Sequence, residues 1–347
     1  MKILNHFDNN PNLSLALGFF DGVHLGHQCV IKNTVQVAKE NKVKSAVITF
    51  KNSPRDFFKW KVESGKWKVG EKNNFPLSTF HFPLSKNIIT LEERLELIAK
   101  MEVDYAYVVE FDQELASLSA KQYLEEKLVK HFSPIAITTG FNHTFGSDKA
   151  GAQLLKACQE KYRYQYFEIP PITYDHKLIS SSVIRDLIEK SNFQKAVHML
   201  GYEFFVEGEV VTGKKLGKTI SFPTANVNYP PNIIQFETGV YVAKVEINGK
   251  WKMENGKLTS HSSLLTPHSK IYRAVLNYGS KPTVKSGGQN ILEAYILDFD
   301  EDIYGETIKI IPLKKIRSER KFDSLSDLQH QITKDVAETN QFFRKSC

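Results

Sequence analysis

The chain has 347 residues, 41% of them hydrophobic and 24% charged, which fits soluble globular protein in two domains. No apolar run approaches the roughly 20 residues that cross a bilayer, the opening MKILNHFDNN lacks a signal-peptide core, and Cys29, Cys158 and Cys347 lie far apart with no CxxC, which argues against a membrane span, a disulfide framework or a zinc site, and a cytoplasmic protein is expected. A net charge of +7 and a pI near 9.0 allow nucleic acid, anionic small substrates or a plain Lys-rich surface, and the lysines are spread along the chain, not clustered.

In chain order, LSLALGFF reads as a strand entering a glycine-rich turn, and HQCVIKNTVQVAKENK follows with helical spacing. SAVITF is a second apolar run. The helix ERLELIAKM precedes the strand YAYVVEF, and the helix AKQYLEEKLVKHF precedes the strand IAITTGF. Strands alternating with helices predict an α/β fold with a parallel sheet, whose ligands sit outside the strands' carboxyl ends. After about Leu200 the texture changes. FFVEGEVV, GVYVAKVEI, YRAVLNYG and ILEAYILDF read as short strands with no helix between them, which predicts an antiparallel barrel. SLSDLQHQITKDVAETNQFF closes the chain as an amphipathic helix, capped by Ser324 or Ser326, with Leu325, Leu328, Ile332 and Val336 on one face. The boundary falls after the helix SSVIRDLIEK, giving domains 1–190 and 191–347. Lys59 to Asn87 and Trp251 to Lys270 read as loop-like inserts.

The sharpest motif is LALGFFDGVHLGHQ. Gly18, Gly22 and Gly26 bracket Asp21, His24 and His27. Glycines let backbone approach a phosphate, and the following helix offers free N–H groups and a positive dipole end. Two imidazoles three residues apart share one helical face, an arrangement suited to stabilising charge growing at phosphorus, to a metal pair or to plain exposure to solvent. Ser180, Ser181, Ser182 and Arg185 bring hydroxyls and a guanidinium to a second helix start, suited to phosphates or to simple capping.

GFFDGVHLGHQ resembles the HxGH signature of the nucleotidyltransferases, and its particular form resembles the FMN adenylyltransferase module of bacterial bifunctional riboflavin kinase/FAD synthetases. TFKNSPRDFF resembles that family's TFxPHP segment, TLEERLELI its LTxxER, GFNHTFGSDKAG its G-x-[DN]-F-x-F-G loop, and LISSSVIRDLI its ISSTxIR. The resemblance implies a Rossmann-like fold with His24 and His27 catalytic. It implies that Gly18, Phe19, Asp21, Gly22, Gly26, Ser180, Ser181, Ser182 and Arg185 bind ATP, and that Phe50, Pro54, Phe57 and Asn142 bind flavin. The family's first Pro and its His in TFxPHP are Asn52 and Ser53 here, and the usual aromatic after Asn142 is His143.

In the second half, GEVVTGKKLGKTISFPTANVNYP sets a Gly/Lys loop beside PTAN. Thr224 and Asn226 share a side on extended backbone, an arrangement suited to Mg²⁺ and phosphates or to an edge strand facing water. The stretch resembles the riboflavin kinase motif GxxLGFPTAN. LNYGSKPTV resembles NIGxRPTV, and ILEAYILDFDEDIYGETIKI and KKIRSERKFDSLSDLQHQITKD resemble the rest of that family's tail. The resemblance implies Glu293 as the catalytic base, Thr224 and Asn226 at the metal, and Gly213, Lys218, Pro223, Asn277, Arg317 and Glu319 at ATP and flavin. Ile220–Ser221 replaces LG, Tyr278 alters NIG, and Lys281 replaces the Arg of RPTV. The implied reactions use riboflavin, ATP and Mg²⁺ and give FMN, then FAD, with no nucleic acid or membrane partner. The alternatives are a transferase with a degenerate barrel and, in another class, a nucleic-acid-binding protein on a synthetase-like fold.

Overall fold

The computed structural model describes residues 1–55, 57, 86–213, 222–247, 251–254, 257–260, 270–280 and 290–345. Lys218, Ser221, Lys281 and most of Lys59–Asn87 lie outside them. The chain divides into two units, Met1–Ile179 with Met253–Leu258, and Ser180–Lys252 with Thr259–Cys347.

In the first unit, Leu13–Leu17 (β2) is buried at every position, as a strand covered on both faces must be. It lies between Lys44–Phe50 (β3) and Ala136–Gly140 (β5), parallel to both. Tyr105–Val109 (β4) and Lys2–Leu4 (β1) extend the sheet on one side and Gln165–Ile169 (β6) on the other, all parallel, in the order β1-β4-β3-β2-β5-β6. Leu15, Leu17, Ile48, Tyr107 and Ile137 form its core. The helix Leu25–Glu40 (α1) follows β2, and Leu91–Ala99 (α2) precedes β4. Thr90 and Glu93 cap α2 reciprocally, with Glu93 N–H bonding the Thr90 hydroxyl and Thr90 N–H bonding the Glu93 carboxylate. The AKQYLEEKLVKHF helix has a π-helical centre at Tyr123–Val129, a widening that its sequence does not announce.

The second unit opens with the helices Ser181–Glu189 (α3) and Phe193–Leu200 (α4). Six strands then close a barrel: Val206–Val211 (β7), Ala225–Asn228 (β8), Gly239–Ile247 (β9), Lys270–Ser280 (β10), Asn290–Ile296 (β11) and Thr307–Arg317 (β12). Their order is β7-β8-β11-β10-β9-β12, every neighbour antiparallel. The sequence reading missed β12, because TIKIIPLKKIR carries Pro312 and a proline demotes a strand. The barrel accommodates it where the register with β9 shifts, at Ala243↔Pro312. The C-terminal helix Leu325–Lys345 (α5) is capped by Ser324, whose hydroxyl accepts from Asp327 N–H at 3.1 Å. The insert after β9 was expected to be a plain loop. It contains two short strands, Trp251–Glu254 and Lys257–Ser260, and Lys257 pairs antiparallel with Lys2 in the first unit's sheet. Residues 261–269 of it lie outside the described part.

Candidate functional site

The HxGH loop joins β2 to α1. Phe20 and Val23 both take left-handed backbone, at φ 57° and 35°, and a β-branched residue rarely does so outside a functional turn. Gly22, at φ 76°, has Ile88 so close that a Cβ would sit 2.7 Å from it, so the turn requires glycine. Asp21 is 3% exposed and its carboxylate accepts Ile88 N–H at 2.9 Å. Gly18 N–H bonds Ile48 C=O, tying the loop's start to β3.

His24 caps α1, its Nδ1 accepting His27 N–H at 3.3 Å. An acceptor Nδ1 places the proton of a neutral His24 on Nε2. The two imidazoles stack at 3.6 Å, and Phe20 meets His27 edge-on. His27 Nδ1 is buried without a hydrogen-bond partner among the described residues. Burial, then the His24 ring, then the Arg94 cation hold His27 well below the ordinary imidazole pKa, so it stays neutral.

Arg94 on α2 had been given no role from sequence beyond its place in TLEERLELI. It is 3% exposed and donates to Phe19 C=O and Phe50 C=O, both at 2.6 Å, while its guanidinium lies over the Phe19 ring. Thr49 donates to the same Phe19 carbonyl. Arg94 thus joins the carboxyl ends of β2 and β3, the predicted ATP and flavin segments. Burial lowers it to about 10. Beyond β3, Phe50 and Phe57 both meet the ring of Phe111 edge-on, and Pro54 begins a helical turn. Asn52, standing for the family's proline, exchanges two 2.8 Å hydrogen bonds with the Phe111 backbone, so the departure fixes the segment in another way. Asn142 is exposed in the turn after β5, and His143 stacks against Phe145. Ser180 caps α3, accepting Val183 N–H at 3.4 Å, with Ser181, Ser182 and Arg185 in its first turns. These four belong to the second unit, whereas Gly18 to His27 belong to the first.

In the barrel, the strand register builds the site. Asn226 on β8 faces Glu293 on β11, Glu293 faces Asn277 on β10, Asn277 faces Val240 on β9, and Val240 faces Arg317 on β12. Residues directly opposite across antiparallel strands share a face, so one row around the barrel carries all five side chains. They line a single pocket of about 350 Å³ with Thr224 and Glu319, and α5 adds Leu328, Ile332 and Asp335. Asn277 donates to Glu293 at 3.5 Å, and Asn226 Nδ2 donates to Thr224 C=O at 3.2 Å, leaving Oδ1 as its acceptor. Gly213 presses on that amide, where a Cβ would lie 2.5 Å from Asn226 Nδ2. Pro223 is exposed and is not among the pocket residues. Tyr278 alternates away from Asn277 onto the fully buried face, packs on Phe236 and Tyr229, and accepts from Asn290 at 2.7 Å. Burial pushes its phenol up to about 12. Asp335 is among the pocket residues that sequence reasoning did not single out. It is the terminal Asp of the tail motif, and a lone Asp on an amphipathic helix gives no sign of burial.

A parallel sheet with an HxGH loop at its carboxyl edge, and a barrel with a carboxylate and oxygen donors in one row, define an enzyme of two phosphorus transfers. The comparisons supply the chemistry. A family model for FAD synthetase matches residues 6–183, and one for riboflavin kinase matches residues 200–343. The bifunctional riboflavin kinase/FMN adenylyltransferase of Bacillus subtilis (strain 168) is 34% identical over 95% of this chain and 92% of its own length. The Escherichia coli K12 protein of the same name is 30% identical over 95% and 92%. A crystal structure from Streptococcus pneumoniae, described as a macrolide-efflux protein, is 28% identical, covers 98% of this chain and 99% of that one, and superposes with a TM-score of 0.78. The chain belongs to the bifunctional riboflavin kinase/FMN adenylyltransferase family. It phosphorylates riboflavin to FMN and adenylylates FMN to FAD. Both halves match a family model, which disfavours a degenerate barrel. Among the described residues, no helix is long and apolar enough to cross a membrane.

Proposed function

We propose that the two reactions divide between the HxGH loop and the barrel row, within domains close to 1–190 and 191–347, and that the enzyme works in the cytoplasm. The observation that carries the barrel assignment is the row Asn226–Glu293–Asn277–Val240–Arg317, because the register alone brings a carboxylate between two amides in a pocket. Glu293 accepts the proton of the riboflavin 5′-hydroxyl as its oxygen attacks the γ-phosphorus of ATP and ADP leaves. Asn277 orients that carboxylate. Thr224 and Asn226 offer oxygen donors on one face beside Glu293, a set that suits Mg²⁺ shared with phosphates and water, not a cage of protein ligands. Mg²⁺ held there would supply charge neutralisation at the transferring phosphate. Gly213, which lies against Asn226, together with Lys218 and Pro223 of the Gly/Lys and PTAN motif, serves ATP, and Arg317 and Glu319 contact flavin.

In the first unit, an oxygen of the FMN phosphate attacks the α-phosphorus of a second ATP, and pyrophosphate leaves. His24, protonated on Nε2, and neutral His27 donate to the phosphate oxygens as charge builds. Gly18, Phe19, Asp21, Gly22 and Gly26 shape the nucleotide loop, and Phe50, Pro54, Phe57 and Asn142 hold flavin. Ser180, Ser181, Ser182 and Arg185 hold the pyrophosphate, a role supported by their motif and their place at a helix start. No protein nucleophile enters either step, because positioning and electrostatics supply the rate.

Chromatography of riboflavin, FMN and FAD over time, with ATP and Mg²⁺, tests the scheme. FMN appears first and FAD follows. Riboflavin left unchanged while added FMN becomes FAD would remove the barrel half of the reading.

A further inference from the structure

The two residues that α5 buries are both polar, Asp335 at 2% exposure and Thr339. A carboxylate is tolerated in such a place only when it is paired and hydrogen-bonded. Asp335 is both. Arg317 Nε reaches its two oxygens at 3.1 Å each, Arg317 Nη2 reaches Oδ2 at 2.8 Å, and Gln331 Nε2 reaches Oδ1 at 2.8 Å. Gln331 in turn accepts from Arg320. Arg317 stands in the barrel row with Glu293, and its Nη1 donates to Ser318 C=O at 3.2 Å.

We propose that Asp335 is a positioning residue for riboflavin phosphorylation, acting through Arg317. The inference rests on the reading of the pocket as the flavin site. Bidentate pairing turns the Nε–Nη2 edge of the guanidinium toward α5 and fixes the planar fork in one orientation. The second N–H of Nη1, beside the one bonded to Ser318 C=O, and the outer N–H of Nη2 are then the donors left for a ligand. The ordering of a long side chain is completed before substrate arrives, so binding does not bear that cost. The pairing also engages Arg317 in a pocket lined by two other carboxylates, Glu293 and Glu319. Because Leu328 and Ile332 lie on the same helix, the clamp sets the apolar wall as well.

The test uses the full chain with Asp335→Asn, Arg317→Gln and the double variant. Riboflavin KM and kcat are measured, with FMN adenylylation in the same preparation as the check that the chain is folded. Asp335→Asn raises riboflavin KM at least about tenfold with kcat within about twofold, the pattern of lost binding energy. Adenylylation is unchanged, and the double variant is no worse than Arg317→Gln, since the two residues act as one unit. An Asp335→Asn enzyme with a lowered Tm and an intact KM would reduce the clamp to a structural staple and overturn the inference. Effects that multiply in the double variant would overturn it too, by showing that Asp335 acts independently of Arg317. If Arg317→Gln alone leaves KM intact, the placing of Arg317 at the flavin fails first and the positioning role fails with it.

Discussion

The two sites solve one electrostatic problem with different materials. The HxGH site is a loop, with strained backbone at Phe20 and Val23, a helix start, and two stacked rings of which His27 is held neutral by burial. The barrel site is a row of side chains delivered by strand pairing, in which Asn277 donates to the Glu293 opposite it. A loop site depends on backbone geometry and so on glycine and on positive φ. A register site depends on alternation, so a substitution one residue along a strand falls on the other face.

The widest test of this contrast is Glu293→Gln. Removing the one carboxylate in the row between two amides should lower riboflavin phosphorylation by about a hundredfold or more, since a positioned base supplies roughly 10² to 10⁴. FMN adenylylation in the same preparation should hold. Kinase activity above about a tenth of the parent value would take the base role away from Glu293.

His27→Ala should do the reverse, lowering FAD formation by about 10² to 10³, the usual cost of one preorganised donor, while FMN still forms from riboflavin. His27 also carries a pH signature. Its pKa in the folded chain lies below that of a free imidazole, about 6.5, so protonation favours the unfolded chain. Its contribution to stability is complete above about 6.5 and is lost as pH falls toward the depressed folded value. An NMR titration of the ring should therefore give a midpoint below about 6.5. A midpoint at or above the free value would mean that the loop is open to water.

Much of this was legible in the sequence. Glycine spacing announced the loop, and the alternation of Thr224 with Asn226 put both in one pocket. The row itself was not legible, because no single strand says which residue of another strand will face it, and Glu293 meets Asn226 and Asn277 only through the closed barrel. Arg94 and Asp335 were hidden for another reason. Charged residues read as surface, and only tertiary structure shows Arg94 bonded to two carbonyls at the sheet edge and Asp335 clamped to Arg317. Pro312 concealed a whole strand.

The smallest expected effect bears most directly on register. Tyr278 departs from the family's NIG, and on sequence alone it stands beside Asn277 as a threat to the kinase. In the structure it is neighbour in chain only. Asn277 lies in the polar row, while Tyr278 points the other way, among Phe236 and Tyr229, with its hydroxyl engaged by Asn290. Tyr278→Ile should thus keep riboflavin phosphorylation within about twofold, because no atom of the row moves partner. It should cost stability, since the partly buried Asn290 amide loses its hydrogen bond, a penalty of about 1 kcal/mol that is read as a lower Tm. If phosphorylation instead fell tenfold while Tm held, the wall between the two faces would be transmitting the change, and the separation of site from core by alternation would not describe this barrel.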